Sequence, residues 1–382
     1  MRDGWQQVKL GEVCGIQQGK RIDHLPVGKA SYPVLGAAGI LGSWSESSYS
    51  KPVVALGCRG TVGTVRYVEE PSWFGNNVMA VWSQNRAVLN DRYLALALEG
   101  TDLMAAGAIG GQVQKQITRR SLAPVAIALP SLREQERIVD LIATLDTTIQ
   151  HAEAEAVALG GVAAVRLDML FKLEENEARV PLDGVCDFAS GAAFPPRAQG
   201  AATGEIPFIK VSDMNLPGNE IKIVSANNYV SRDDLRALKA KAWPQGTVVF
   251  PKVGAALLTE KRRVLTRDTA MDNNVMGLVP CSEVDPILLL AYMRTVKLAD
   301  FAQVGALPSI NQSHLRRLSI PERALTHQCE VVAEINALDD AIAVAKTAAL
   351  RLRVLRSNLL TVLLSGEHEI PESYDELIGV AS

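Results

Sequence analysis

The side chains that could do chemistry in this sequence are hydrogen-bond donors and acceptors, not nucleophiles. Lys20-Arg21, Arg59-Gly60-Thr61, Asn76-Asn77 and Gln112-x-Gln114-Lys115-Gln116, followed by Arg119-Arg120, concentrate amide and cationic groups early in the chain. A second set follows later: Lys210, Lys252, Lys261-Arg262-Arg263, Asn273-Asn274, and Ser309-x-Asn311-Gln312 with Arg316-Arg317. Amides and guanidinium groups read base edges, whereas Lys, Arg, Ser and Thr hold phosphates, so such clusters suit nucleic-acid recognition without any bond being made or broken. Each residue also has a plainer reading as a solvated surface group. The Asn pairs precede apolar strands, where they either stabilise a turn or touch a base.

Covalent chemistry finds no comparable support. The sequence has no G-x4-G-K-[ST], H-E-x-x-H or G-x-S-x-G motif, and no Asn- or Asp-Pro-Pro-aromatic motif of an amino-methyltransferase. Asp213, Glu220 and Lys222 make a loose nuclease-like D-x6-E-x-K pattern, but it has no counterpart in the first half and is common by chance. Cys14, Cys58, Cys186, Cys281 and Cys329 are dispersed, without a C-x-x-C pair or a His at zinc-ligand spacing, so neither a disulfide scaffold nor a metal site is expected. Residues 1 to 20 lack the apolar core of a signal peptide, and no uncharged apolar run approaches the ~20 residues of a membrane span. The expectation is a cytoplasmic protein with no membrane partner and no cofactor of its own.

Two elements must position the polar clusters. Proline is absent from Ser131 to Val180 and from Glu322 to Ile370, and glycine is nearly so, which marks two long helices. In the first, Ile138, Leu141, Leu145, Ile149, Ala152, Ala156, Leu159, Ala163, Leu167 and Leu170 recur at steps of three or four. The second repeats this with Val331, Ile335, Leu338, Ile342, Ala345, Ala349, Leu352, Leu355, Leu359 and Val362. A single apolar stripe on so long a helix needs a partner helix. Gly160-Gly161 predicts a kink in the first helix.

The halves are also related to each other. At a constant offset of 193, Ile117 matches Ile310, Leu122 matches Leu315, Gln135 matches Gln328, Asp146 matches Asp339 and Leu170 matches Leu363, with no gap over more than fifty residues. Asn76-Asn77-Val78-Met79 recurs as Asn273-Asn274-Val275-Met276, and Val8-x-Leu10-x-x-Val13-Cys14 as Val180-x-Leu182-x-x-Val185-Cys186. This is a tandem duplication of a variable globular part followed by a long helix. Val53–Leu56, Thr64–Val68, Val78–Trp82 and Thr247–Phe250 read as strands, and Asp91–Leu103 and Asp285–Phe301 as short helices.

Charge follows the same plan. The whole chain of 382 residues carries a net charge of −3, which argues against a polyanionic partner. Segmented, residues 1–130 are +4, 131–179 are −5, 180–320 are +3 and 321–382 are −5. Both globular parts are basic and both helical parts acidic, as expected if only the former touch a polyanion.

Ile117-x4-Leu122-x-x-Val125-x-Ile127-x-Leu129-Pro130-Ser131-Leu132-x-Glu134-Gln135-x-x-Ile138, after the Gly-rich stretch and Gly75-Asn76-Asn77, resembles the specificity subunit of type I restriction–modification enzymes. The resemblance covers almost the whole chain. Departures are Ile320-Pro321, two residues early relative to its helix, and His327-Gln328 in place of Glu134-Gln135.

The resemblance implies an α+β fold in which two mixed α/β target recognition domains are joined by two long helices packed as an antiparallel coiled coil, with pseudo-twofold internal duplication. It divides the chain into recognition domain 1 (1–130), a central helix (131–174), recognition domain 2 (175–320), a distal helix (321–366) and a C-terminal tail (367–382). It further implies a non-catalytic subunit that reads a split double-stranded DNA target. Two methyltransferase subunits carrying S-adenosylmethionine would dock on the helices, and a motor–nuclease subunit is an optional further partner. The DNA-facing candidates are Lys20, Arg21, Arg59, Thr61, Asn76, Asn77, Gln114, Lys115, Arg119, Lys210, Lys252, Lys261, Arg262, Arg263, Asn273, Asn274, Asn311 and Gln312. For the helix–helix and subunit contacts they are Ile138, Leu145, Ile149, Leu159, Leu338, Ile342, Leu352, Leu355 and Leu359. The residues alone also admit a coiled-coil scaffold whose globular ends bind proteins.

Overall fold

The computed structural model describes residues 4–21, 32–111, 114–172, 174–175, 177–303 and 308–378. The chain divides into two compact units, Met1–Glu153 with Thr347–Ser382, and Ala154–Lys346. Each holds one globular domain and a share of both long helices.

In unit 1 a four-stranded antiparallel sheet runs in the order Cys14–Gln18, Val78–Ser83, Val53–Gly57, Val65–Val68. Strand residues point alternately to the two faces, and here both faces are covered, so the central strand Val53–Gly57 is apolar and buried throughout. Val54, Leu56, Met79 and Val81 pack on the helix Asp91–Glu99. Val53, Ala55, Val78 and Ala80 meet Leu35 and Phe74, which belong to a small sheet ordered Ile40–Trp44, Tyr32–Leu35, Trp73–Phe74.

Unit 2 repeats the plan. Its five-stranded sheet runs Cys186–Ser190, Val275–Pro280, Val248–Pro251, Arg263–Leu265, Lys222–Ile223. Val248, Phe250, Met276 and Leu278 cluster with residues of the helix Pro286–Thr295, while Val249 and Val275 face the other way, into a cluster with Ile209 and Met271. The two short helices are briefer than the apolar pattern predicts. Gly100 caps the first, and Val296 turns extended after the second before a 3-10 turn at Leu298–Phe301.

The long helices occupy Leu132–Phe171 and Gln328–Ser365. Ser131 Oγ caps the first by accepting from Glu134 N at 3.3 Å, and Gly366 at φ +75° closes the second. The first is helical without interruption through Gly160-Gly161, where an added side chain would meet nothing within 4 Å. A five-residue helix, Glu322–Thr326, precedes the second long helix and takes up the early placement of Pro321.

Within unit 1 the long helices run antiparallel, since Asp146 pairs with Arg356 and Glu153 with Arg353. Ile138 and Ile142 share a core with Leu360 and Leu363. In unit 2 Leu167 and Phe171 share one with Val331 and Ile335, and Arg166 pairs with Glu334. Ile149 is buried, and Leu145, Leu159, Leu338, Ile342, Leu352 and Leu359 are half-buried. Leu355 is the exception, being 51% exposed. The neighbouring Arg356 turns inward instead, because the carboxylates of Asp146 and Glu99 lie 2.5 and 2.6 Å from its guanidinium.

Matched glutamines tie each domain to its helix. Gln135 accepts from Asn90 N at 2.8 Å and donates to the carbonyls of Val88 and Pro130 at 2.9 and 3.0 Å. Gln328 accepts from Asp285 N at 2.9 Å and donates to Glu283 O at 2.8 Å. Asn90 and Asp285 in turn cap the short helices by accepting from Arg92 N and Ile287 N. The capping residue of one helix is thus the anchor point of another.

Candidate nucleic-acid interface

The polar clusters of unit 1 converge on the loop that leaves the central strand. Cys58 N donates to Asn77 O at 2.8 Å, Ile117 N donates to Cys58 O at 2.9 Å, and Arg59 forms a β-bridge with Gln116. Gly60 then reverses the chain at φ +75°, a conformation that glycine adopts without a Cβ clash. From the neighbouring strand, Gln18 Nε2 donates to Asn76 O at 2.9 Å and Lys20 N to Phe74 O at 2.9 Å. A Cβ at Gly19 would lie 2.3 Å from Gly75 O, so only glycine permits this approach. The result is a hydrogen-bonded backbone frame carrying exposed Lys20, Arg21, Arg59, Thr61, Asn77, Gln114 and Lys115, with Asn76 half-buried. Arg119 is exposed on the short helix Arg119–Leu122, a few residues beyond the bridge.

Unit 2 builds the same frame from different residues. Lys252 N donates to Asn274 O and Ile310 N to Lys252 O, both at 2.9 Å, while Val253 bridges Ser309 and Gly254 sits at φ +76°. Lys252-Val253-Gly254 is therefore the structural counterpart of Cys58-Arg59-Gly60. Gln312 Nε2 donates to Ser190 Oγ at 3.0 Å, and Gly191 lies so close to Asp272 O that no side chain could replace its hydrogen. Asn273 and Asn274 are exposed and Lys252 half-buried.

Other candidates are engaged within the domain. Arg262 is only 7% exposed, donating to Glu260 and to Val296 O, and Arg263 donates to the carbonyls of Arg262 and Met214. Burial lowers both guanidinium pKa values from their ordinary range. Lys210 donates to Gln199 Oε1 at 2.9 Å, and Lys261 to Asn215 Oδ1. Asn311 caps the helix Gln312–Leu315 by accepting from Ser313 N at 3.1 Å. Asn274 plays a turn role, with its backbone and side-chain N–H groups on Asp272 at 3.0 and 3.2 Å. Burial raises the Asp272 pKa, and these two bonds oppose the rise.

Sequence reasoning missed Asp272, Gln18, the paired glycines Gly19 and Gly191, and the frame role of Cys58. One signal was available, because Gly60 and Gly254 stand 194 residues apart, next to the 193 of the helices. The arrangement offers donors and acceptors on hydrogen-bonded loops, which suits base and phosphate contacts. Among the described residues no group of three or more His, Cys, Asp or Glu could hold a metal ion. Burial pushes the matched thiols of Cys14 and Cys186 up to about 12, so they pack as small apolar groups.

Residues 2–158 match the family model described as Type I restriction modification DNA specificity domain. As a fold, the chain is similar to the S subunit of the type I restriction-modification system from M. genitalium, at 14% identity and TM-score 0.58 over 96% of this chain and 97% of that one. It is also similar, at 15% identity and TM-score 0.59 over 95% and 98%, to a chain from a structure described as the basis of complex assembly and conformational transition of the type I R-M system. No curated protein sequence matches the chain. The fold is one of two related domains, each carrying the same loop frame, and two long helices. The family-model match covers residues 2–158 of the 382, whereas the likeness in fold runs over nearly the whole chain. Among the described residues no helix is long and apolar enough to cross a membrane.

Proposed function

We propose that each domain reads one half of a split double-stranded DNA target, residues 1–130 one half-site and 175–320 the other, with an unspecified spacer between them. The contacts come from Lys20, Arg59, Thr61, Asn77, Gln114 and Lys115 in the first domain, and from Lys252, Asn273 and Gln312 in the second. Two methyltransferase subunits carrying S-adenosylmethionine dock on the helices 131–174 and 321–366, and a motor–nuclease subunit is an optional further partner in the cytoplasm. The observation that supports this most is the duplicated loop frame, Cys58-Arg59-Gly60 and Lys252-Val253-Gly254, built on matching backbone bonds yet carrying different side chains. A shared frame with variable side chains is what two readers of different sequences need.

Co-expression with the methyltransferase subunits and mapping of methylated adenines tests the reading. A bipartite motif is expected, and exchanging residues 1–130 for another such domain should change one half only. A stable complex without any motif, or a change in both halves, would overturn it.

A further inference from the structure

The interface of unit 1 has an apolar corner. Strand Ile40–Trp44 begins with two adjacent aliphatic side chains in solvent, Ile40 at 69% and Leu41 at 59% exposed. They sit at the tip of the hairpin formed with Tyr32–Leu35, which turns through Gly36 to Gly39 on reciprocal backbone bonds of 2.7 and 3.3 Å. A Cβ at Gly36 would lie 2.8 Å from the Leu41 side chain, so glycine there lets Leu41 fold over the turn.

The tip is fastened to the polar frame. Ala37 O accepts from Thr64 Oγ1 at 2.8 Å and from Arg66 Nη2 at 3.1 Å, both just beyond the loop that carries Arg59 and Thr61. Leu35 O accepts from Gly75 N at 3.0 Å, next to Asn76-Asn77. These bonds take up the Leu35 and Ala37 carbonyls, and the exposed side chains of the tip, Ala38, Ile40 and Leu41, are aliphatic. In duplex DNA with its bases stacked, the apolar group that base edges present in a groove is the thymine 5-methyl.

We propose that Ile40, flanked by Leu41, is a specificity-determining residue that packs on a thymine methyl in the half-site read by residues 1–130. This rests on the reading of unit 1 as a DNA-reading domain. The chemistry is burial of one methyl group against a preformed aliphatic tip, and both residues keep their folded positions in doing so.

The test uses the complete complex with its methyltransferase subunits and duplexes carrying the mapped motif. Each thymine is replaced in turn by deoxyuridine, which removes the 5-methyl group alone. Burial of a methyl group, at ~0.8 kcal/mol, corresponds to about fourfold in affinity. One deoxyuridine position in the half-site of residues 1–130 should weaken wild-type binding by about that factor, and Ile40→Ala should bind thymine and deoxyuridine equally there. The other half-site should respond identically in both proteins. Ile40→Val, which keeps a branched aliphatic side chain, should retain most of the discrimination.

If no deoxyuridine position in that half-site matters, or if it matters equally in Ile40→Ala, the proposal is overturned. Weaker binding by Ile40→Ala with no sensitive thymine overturns it too, pointing to a wedge between base steps. Loss of all sequence-specific binding by the wild-type complex is a separate result, which sinks the underlying DNA reading and the proposal with it.

Discussion

Replacing Gln135 by alanine tests how the first domain is joined to its long helix. Gln135 is 0% exposed and makes three hydrogen bonds, to Asn90 N, Val88 O and Pro130 O, at 2.8 to 3.0 Å. Each is worth about 1 kcal/mol net, and three backbone groups stranded away from water add a penalty, so the loss should be on the order of 3 to 4 kcal/mol. Its duplicate Gln328 is half-buried and makes two such bonds, whose partners water can reach after truncation. Gln328→Ala should therefore cost only about 1 to 2 kcal/mol. For a unit of this size the corresponding falls in Tm are roughly 10 °C and 5 °C. Intrinsic fluorescence separates them, because Trp5, Trp44, Trp73 and Trp82 lie in unit 1 and Trp243 alone in unit 2. Calorimetry of the full chain supplies the second measure. Equal losses at the two positions, or a loss below about 0.5 kcal/mol at Gln135, would refute the view that burial of this anchor decides its worth.

Leu363→Ala, at a position 1% exposed, should destabilise unit 1 by about 2 to 4 kcal/mol, whereas Leu355→Ala, 51% exposed, should cost under ~0.5 kcal/mol in urea unfolding; equal costs would return Leu355 to the helix seam. Gly60→Ala and Gly254→Ala, at φ +75° and +76°, should each cost about 1 to 2 kcal/mol and weaken binding at one half-site only, which equilibrium unfolding and binding to half-site variants would check. The hydrogen bond from Arg137, followed by that from Arg133, holds the Asp375 carboxyl down to about 2, below the ordinary ~3.9. A depressed carboxyl stabilises above its unfolded pKa and loses that contribution as pH falls through its folded one, so the C-terminal segment should loosen between about pH 4 and pH 2. Pepsin cleavage, normalised at each pH to its rate on an unstructured peptide, should accelerate across that window in the wild type but stay flat in Asp375→Asn; parallel profiles would count against the Arg137–Asp375 contact as what holds the segment.

Much of the architecture was legible in the order of residues. Absence of proline, the three-to-four spacing of apolar residues and the offset of 193 are one-dimensional patterns, and each reflects a local requirement of helices or of a repeated chain segment. The strands Val53–Gly57 and Val78–Ser83 were visible because β-branched runs bounded by Gly, Pro and Asn have few other ways to be buried. The interface was legible only as composition. Arg59, Lys252 and the Asn pairs stood out as polar residues in polar loops, but so did Arg262 and Arg263, which fold inward onto Val296, Arg262 and Met214.

What the sequence determined by itself was the plan: two related globular parts, two long helices, basic domains and acidic helices, and the Pro-x4-Gln-x-x-Ile start of the first helix. Tertiary structure alone decided which donors face outward, that Cys58 and Lys252 are the same position in two frames, and that Arg356 takes the place expected of Leu355. Periodicity is a property of neighbours along the chain, so it survives in one dimension. Whether a guanidinium meets water, a carbonyl or a carboxylate depends on groups far away in sequence, such as Glu99 and Asp146 for Arg356, and only the folded chain brings those together.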